Sequence, residues 1–239
     1  MDTIKIDRGT CKMIAHRGAS GLERENTCAA FVAAAQRTYF GIETDVHVTK
    51  DGKFAIIHDN DLNRVAGVDM NVEESTLADL QSIRLFDKDD ATRRSDLIVP
   101  TLEDYISICH RYGKEAVLEL KNDIAPEHIA GIVDTIEQLG HLDATTFISF
   151  HHENLLRVRA LRPECKAQFL PPKNEDWIFK FCVENRIDLD IYHTVLTPEI
   201  VAMIHGAGLR VNCWTVDDVK AAERVLGLGV DFITSNILE

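Results

Sequence analysis

The 239-residue sequence has no apolar run long enough to span a bilayer, and its first eight residues, Met1 to Arg8, lack the apolar core of a secretory signal. Positive charge is scarce, since 26 Lys and Arg residues stand against 39 Asp and Glu residues and give a formal net charge of -13. Phosphate backbones and anionic bilayers both attract basic surfaces. This balance therefore argues against nucleic acid as a partner and against stable membrane association, and we expect a soluble, cytoplasmic protein.

Cysteine occurs six times, but in no pattern typical of a disulfide framework or a zinc site. The sequence contains no C-x-x-C pair, and four of the cysteines lie among apolar neighbours in predicted helices or strands. We expect all six to be buried free thiols in a reducing compartment. The six are Cys11, Cys28, Cys109, Cys165, Cys182 and Cys213.

Short apolar segments alternate with segments of helical periodicity along most of the chain. Such alternation predicts a parallel sheet, and 239 residues suit an α/β barrel. A doubly wound open sheet is the alternative, but it normally brings a glycine-rich phosphate loop after its first strand, and the sequence has neither G-x-G-x-x-G nor a Walker pattern. We therefore predict a closed (β/α)8 TIM barrel. The eight strands are predicted to start near Met13, Ile42, Ala116, Thr146, Lys166, Leu189, Arg210 and Asp231.

One segment, residues 60–100, interrupts this alternation. It is polar, and only Ser75 to Leu85 has a weak helical pattern. Long connections without regular structure are uncommon inside compact domains, so the segment reads as a loop or a small subdomain. We expect a single barrel domain over residues 1–239 that carries this insertion after its second strand.

Acidic side chains line one face of the predicted second strand. The stretch Gly41 to Asp59 reads as two strands joined by a tight turn, and Glu43, Asp45 and His47 share a face because strand side chains alternate. Buried acids need compensation, and a divalent metal is the usual one. Oxygen ligands suit Mg²⁺ or Ca²⁺. The alternative is a half-exposed strand with ordinary surface acids.

In a barrel, chemistry lies at the C-terminal ends of the strands, and the polar residues of this chain gather there. Three carboxylates could converge on one cation, two basic side chains could neutralise a phosphate, and two imidazoles could act as base and acid. Together they provide what hydrolysis of a phosphodiester needs. The residues are Glu43, Asp45, Glu119, Arg17, Lys121, His16 and His58.

The order of these motifs resembles the glycerophosphodiester phosphodiesterase family. The matching stretches extend from residue 13 to about 235, so the resemblance covers nearly the whole chain. They are His16-Arg17-Gly18, Glu25-Asn26-Thr27, Glu43-Thr44-Asp45-Val46, Thr49-Lys50-Asp51-Gly52, His58-Asp59, Leu62-Asn63-Arg64, Pro100-Thr101-Leu102-Glu103, Glu119-Leu120-Lys121, Ser149-Phe150 and Trp214-Thr215-Val216.

The resemblance implies hydrolysis of glycerophosphodiesters to sn-glycerol 3-phosphate and an alcohol such as choline or ethanolamine. It also implies one divalent cation, with Mg²⁺ and Ca²⁺ both open, and leaves open whether water or the neighbouring glycerol hydroxyl attacks. By residue, it implies Glu43, Asp45 and Glu119 as metal ligands, His16 and His58 as the catalytic pair, Arg17 and Lys121 at the phosphate, and Trp214 and Phe150 at the substrate pocket.

The sequence departs from the family pattern in three places. Arg24 stands where the family usually has proline, which changes loop stiffness more than chemistry. The last strand ends in Thr234-Ser235-Asn236-Ile237 instead of Thr-Asp-x-Pro, so a carboxylate is lost that could affect the barrel mouth and the identity of the substrate. The sequence stops at Glu239, so we expect the usual final helix to be missing or very short.

Two other functions remain open at this point. One is a related phosphodiesterase that acts on lysophospholipids or another head group in the manner of phospholipase D, although no amphipathic or basic membrane-binding element is evident. The other is a non-catalytic barrel that binds phosphate esters, although every expected acid and imidazole is present. The oligomeric state cannot be read from the sequence.

Overall fold

Eight parallel strands close into a barrel in the computed structural model, which describes residues 2–173 and 175–239. With one additional antiparallel strand, β3, the described strands in chain order are β1 (Lys12–Ala15), β2 (Gly41–Val48), β3 (Phe54–Ile56), β4 (Glu115–Leu120), β5 (Thr145–Ser149), β6 (Lys166–Phe169), β7 (Asp188–Tyr192), β8 (Val211–Trp214) and β9 (Phe232–Ser235). β1 pairs in parallel with both β2 and β9, which closes the sheet, while the short β3 pairs antiparallel with the C-terminal end of β2. The (β/α)8 TIM barrel predicted from the sequence is confirmed.

Helices connect the strands on the outside of the barrel. They are α1 (Cys28–Ala35), α2 (Asn63–Ala66), α3 (Leu77–Ser82), α4 (Leu102–Tyr112), α5 (Pro126–Gln138), α6 (His152–Leu161), α7 (Asp176–Asn185), α8 (Pro198–Gly206) and α9 (Val219–Leu228). Their start points follow local chemistry: Thr27 and Thr197 cap α1 and α8, and Thr101 forms a capping box with Asp104 at α4. Among the described helices, none combines the length and apolar composition that a bilayer crossing requires.

The interior of the barrel is filled by side chains and does not form an open channel. Ile14, Val117, Ile148, Leu170 and Phe232 form a buried cluster inside the ring of strands. Alternate residues of the same strands point outward and pack against the helices, as the two-residue period of a strand requires. The cavity described below lies at the C-terminal end of the barrel, above this packed cluster.

The segment of residues 60–100 contains two short helices, α2 and α3, and a small hydrophobic core of its own. Thr76 caps α3 through a reciprocal capping box with Asp79. Buried residues from both helices and from the following chain form one cluster beside β3. The segment is therefore a folded excursion and not an open loop. The apolar side chains of this cluster include Leu62, Val65, Leu80, Leu85, Leu97 and Val99.

The boundaries of the predicted strands agree with the structure to within about two residues, but one prediction about cysteine is wrong. Five of the six thiols are buried, whereas Cys28 is exposed. Cys28 is the first residue of α1, and the buried face of that helix is made by Ala30, Phe31, Ala34 and Ala35. The apolar neighbourhood in sequence did not show on which side of the helix the thiol lies.

Candidate active site

Seven of the nine side chains predicted as site residues line one cavity of about 110 Å³ at the C-terminal ends of the strands. The other two, Asp45 and Lys121, lie beside it: Lys121 Nζ is 2.8 Å from Glu119 Oε1, and Arg17 Nε is 3.7 Å from Asp45 Oδ2. The structure thus brings all nine together. The seven lining residues are His16, Arg17, Glu43, His58, Glu119, Phe150 and Trp214.

Three buried carboxylates form the most acidic part of the cavity. Asp45 of β2 is the register partner of Glu119 in β4, and Glu43 lies two residues earlier on the same face. Glu43, Asp45 and Glu119 are 3%, 1% and 7% exposed, and one oxygen of each lies within 4.8 Å of the others. Such a set of hard oxygen atoms could hold a divalent ion.

The charges of these acids are unequal because their neighbours differ. Burial, reinforced by the charge of Asp45, raises the pKa of Glu43 well above its ordinary value and that of Glu119 to about 7. Burial acts in the same direction on Asp45, but the Lys121 ammonium and the Arg17 guanidinium outweigh it and hold the pKa of Asp45 below its usual range. Asp45 therefore stays ionised, while two neighbouring acids resist ionisation.

The loop after β1 places Arg17 and Asn26 against these acids, and both residues have positive φ angles of 53° and 51°. The backbone N–H of Arg17 donates to Glu43 at 2.8 Å, and Asn26 Nδ2 donates to Asp45 at 2.8 Å. Gly18 allows the close approach, since a Cβ there would lie 2.7 Å from Ala30 in the neighbouring helix. The loop conformation thus fixes two of the three carboxylates.

A further acid outside the cluster of three, Glu25, holds Arg17 in place. Arg17 Nη1 donates to Glu25 Oε1 at 2.8 Å, and Arg64 Nη1 donates to Glu25 Oε2 at 2.7 Å. Burial favours the neutral form of Glu25, but the hydrogen bonds from Arg64 and the charge of Arg17 lower its pKa to about 2. Arg64 also donates to Asp59 at 2.7 Å, and Asp59 Oδ1 lies 2.7 Å from His58 Nδ1. A continuous chain of contacts therefore joins His58 to Arg17.

His16 has a different partner. Its Nδ1 lies 2.8 Å from the side-chain oxygen of Asn236, whose Nδ2 donates to Asp217 at 2.6 Å. Because the Asn236 amide nitrogen faces a carboxylate, its oxygen faces His16, and the Nδ1 of His16 carries the proton. Ser20 Oγ donates to the same Asn236 oxygen at 2.5 Å. The Nε2 of His16 is thereby left as the acceptor and lies 4.0 Å from Glu43 Oε2.

This arrangement resolves one departure from the family pattern. The last strand has no carboxylate at Ser235 or Asn236, yet Asp217, in the loop after β8, accepts hydrogen bonds from the backbone N–H of Asn236 at 2.8 Å and from Ser235 Oγ at 3.0 Å. A carboxylate therefore remains at this edge of the barrel mouth, supplied by a neighbouring loop.

Burial, together with the charge of Arg17, lowers the pKa of His16 to about 4.

The far wall of the cavity is apolar with one buried acid. The rings of Phe150 and Trp214 meet edge to face at 5.8 Å, and Tyr192 lies 5.4 Å from Trp214. Asp190 of β7 also lines the cavity, and burial, reinforced by the charge of Glu119, raises its pKa well above the ordinary value. Our reading of the sequence missed Asp190 and Asp217. The only signal for Asp190 was its alternation with apolar residues on a predicted strand.

The sequence is similar to known phosphodiesterases over almost its full length. Residues 16–238 match the model of the glycerophosphoryl diester phosphodiesterase family. A glycerophosphodiester phosphodiesterase of Bacillus altitudinis is 30% identical over 234 residues, which cover 93% of each chain. A human lysophospholipase D is 38% identical over a shorter stretch of 76 residues, which is 32% of this chain and 24% of the human one.

A solved structure has the same architecture. A phosphodiesterase of Oleispira antarctica, solved in complex with the product sn-glycerol-3-phosphate, superposes with a TM-score of 0.88 at 28% identity and covers 95% of this chain and 93% of its own. The predictions of the family and of an enzyme of the phosphoric diester hydrolase class are confirmed. The chain belongs to the glycerophosphoryl diester phosphodiesterase family.

Proposed function

We propose that this protein hydrolyses glycerophosphodiesters to sn-glycerol 3-phosphate and an alcohol with the help of one divalent cation. The observation that carries the proposal is the convergence of three buried carboxylates, within 4.8 Å of one another, beside two histidines and two basic side chains. The product complex of the Oleispira antarctica relative supports the same substrate class.

The acidic cluster fits a resident metal ion. Asp45 Oδ1 is buried without a hydrogen-bond partner among the described residues. Burial, reinforced by the charge of Asp45, raises the pKa of Glu43 and of Glu119, so a cation beside them would stabilise their ionised forms. Glu43, Asp45 and Glu119 would hold Mg²⁺ or Ca²⁺, since both prefer oxygen ligands. When bound, the ion supplies positive charge that stabilises the phosphate oxygens in the transition state.

Arg17 and Lys121 would bind the phosphate from the protein side. Burial opposes their charges, but the carboxylates around them raise the pKa of both, so each remains a cation at neutral pH. Arg17 is held by Glu25 and is fixed before substrate enters, which lowers the entropy lost on binding. Lys121 lies between Asp45 and Glu119, so its flexible stem can turn to a phosphate oxygen when a metal ion balances those acids.

The two histidines are suited to opposite roles because their partners differ. His16 donates its Nδ1 proton to a neutral amide and is buried, so its Nε2 is free to accept a proton from the nucleophile. Burial lowers the pKa of His58, whereas the charge of Asp45 and the hydrogen bond with the Asp59 carboxylate oppose this shift and stabilise the imidazolium. We assign His16 as the general base and His58 as the acid that protonates the leaving alkoxide.

A second candidate function is removal of the head group from lysophospholipids. The partial match to a human lysophospholipase D favours it, as does the apolar wall formed by Ile148, Phe150 and Leu170. Both functions use the same polar groups, so they differ only in what the cavity mouth admits. Turnover of glycerophosphocholine and lysophosphatidylcholine under the same conditions separates them.

The proposed reaction is tested by release of sn-glycerol 3-phosphate from glycerophosphocholine with saturating Mg²⁺ or Ca²⁺. Glu43→Ala, His16→Ala and His58→Ala should each lower kcat by about 10²-fold or more, because each removes a group that acts in the transition state. His205→Gln is the matched control, since His205 pairs with Asp231 at the other end of the barrel. Full activity in the Glu43 and His16 variants would contradict the proposal.

A further inference from the structure

Two buried polar atoms on the far wall of the cavity have no hydrogen-bond partner among residues 2–173 and 175–239. Asp190 is 2% exposed, and neither its Oδ1 nor the Nε1 of Trp214 finds a hydrogen-bond partner in the described part of the chain. Both residues line the same cavity as His16 and Glu119. Buried donors and acceptors are nearly always paired, so an unpaired acceptor and an unpaired donor in one pocket indicate a place where a ligand completes the bonding.

The topology places this pair across the barrel from the acidic cluster. β7 and β8 are neighbours in which Asp190 pairs in register with Asn212 and Tyr192 with Trp214, so Asp190 and Trp214 are one interior position apart. In the ring of eight strands, β7 lies opposite β2 and β8 lies opposite β4. A ligand whose phosphate lies at the acids of β2 and β4 would therefore extend its other end toward Asp190 and Trp214.

The polar side chains around this pair are occupied with one another. Asn212 Nδ2 donates to Gln168 Oε1 at 3.1 Å, and Thr234 Oγ1 donates to Asn212 Oδ1 at 3.2 Å. Burial and the charge of Glu119 raise the pKa of Asp190 against the opposing effect of a hydrogen bond from Asn212, so this set supports the strands and one side of Asp190. Asp190 Oδ1 and Trp214 Nε1 have no such partner among the described residues, and both residues line the cavity.

We propose that Asp190 and Trp214 bind the vicinal diol of the glycerol moiety, with Asp190 accepting a hydrogen bond from the hydroxyl farthest from the phosphate. A diol offers both a donor and an acceptor, which is what the two side chains lack. A quaternary ammonium group accepts no hydrogen bond and would leave the Trp214 N–H unpaired. The inference rests on the proposed function, because it takes the phosphate to lie at the acidic cluster.

Asp190 would also distinguish between classes of substrate. In a lysophospholipid acylated at the terminal glycerol oxygen, that oxygen carries no proton to donate to Asp190. The buried Asp190 oxygen would stay unpaired in such a complex, and sites built to bind a hydroxyl discriminate strongly against ligands that lack it. Asp190 thus selects fully deacylated glycerophosphodiesters over such lysophospholipids.

The test compares two substrates that differ by one hydroxyl. Glycerophosphocholine carries both glycerol hydroxyls, whereas 2-hydroxypropyl phosphocholine lacks only the terminal one and retains the hydroxyl next to the phosphate ester. The unmodified protein should prefer glycerophosphocholine in kcat/KM by about 10- to 100-fold, the range expected when a buried polar group is left without its hydrogen-bond partner. Asp190→Leu should reduce this preference to within about threefold, while Asp190→Asn, which keeps an acceptor oxygen, should retain part of it.

Asp188→Asn is the matched control, because Asp188 lies on the same face of β7 but pairs with Arg210 near the other end. It should leave the preference unchanged. An equal loss on both substrates in Asp190→Leu, or an undiminished preference, would overturn the inference.

Binding of sn-glycerol 3-phosphate and of 2-hydroxypropyl phosphate, measured by calorimetry in the same variants, separates this inference from the proposed function. If the protein turns over neither diester but the Asp190-dependent preference appears in binding, the proposed hydrolysis fails and the diol site stands. If hydrolysis proceeds and the preference does not depend on Asp190, the proposed function stands and the diol site fails.

Discussion

Replacing Glu119 by Gln should make the metal-free protein more stable at alkaline pH, although it removes a proposed metal ligand. Burial and the Asp45 charge raise the pKa of Glu119 from an ordinary 4.5 to about 7. At 1.36 kcal/mol per pKa unit, the ionised side chain destabilises the fold by about 3 kcal/mol. Gln has the same shape and no charge, so it avoids this penalty.

The sign of the pH dependence follows from the direction of the shift. Because the pKa is higher in the folded state than in the unfolded state, the penalty is absent below about pH 4.5, grows as the pH rises, and is complete above about pH 7. The free energy of unfolding of Glu119→Gln should therefore exceed that of the unmodified protein by about 3 kcal/mol at pH 8 and by little at pH 4.5.

Urea unfolding in the presence of chelator measures this difference. Glu115→Gln is the matched control on the same strand, because Glu115 pairs with Lys166 at 2.6 Å outside the acidic cluster. The control should gain no stability at pH 8. A Glu119→Gln protein that is less stable than the unmodified protein at pH 8, or one whose advantage is the same at both pH values, would refute the reasoning.

Three further outcomes follow from the same contacts. In differential scanning calorimetry, a divalent cation at 100 times its Kd should stabilise the unmodified protein by about 2.7 kcal/mol, and the same concentration should stabilise Glu119→Gln much less. Asp217→Asn should lower kcat by about tenfold with little change in KM, because Asn236 loses the carboxylate that orients it toward His16. A kcat of the Asp217→Asn variant equal to that of the unmodified protein would contradict this. Leu80→Ala should lower the free energy of unfolding in urea by about 2–5 kcal/mol, since Leu80 is fully buried in the core of residues 60–100; a loss below 1 kcal/mol would contradict it.

The sequence was sufficient to predict the barrel, and the acidic, basic and imidazole side chains proposed for the site lie together in the structure. These residues lie within or just after predicted strands, and the C-terminal ends of parallel strands meet on one side of a barrel. Alternation along β2 placed Glu43 and Asp45 on one face, and the register with β4 brings Glu119 beside Asp45.

The positioning contacts could not be read from the sequence, because they join residues that are distant along the chain. His16 and its partner Asn236 are 220 residues apart, and the orientation of Asn236 depends on Asp217 in another loop. In the sequence, Asp190 is an ordinary acid on a predicted strand, and only the closed barrel places it in the lining of the cavity. For residues 60–100 the sequence could not decide between a loop and a small subdomain, since the apolar residues of its core are spread over a segment with little periodicity.

The most direct test of the account is phosphorus NMR of glycerophosphocholine mixed with chelator-treated protein, before and after Mg²⁺ or Ca²⁺ is added in excess of the chelator. We expect no change before the addition, and afterwards the appearance of the sn-glycerol 3-phosphate signal as the diester signal falls. A transient cyclic phosphate signal would identify the glycerol hydroxyl as the nucleophile. Equal turnover with and without the cation, or none with any cation in a folded protein, would contradict the central claim.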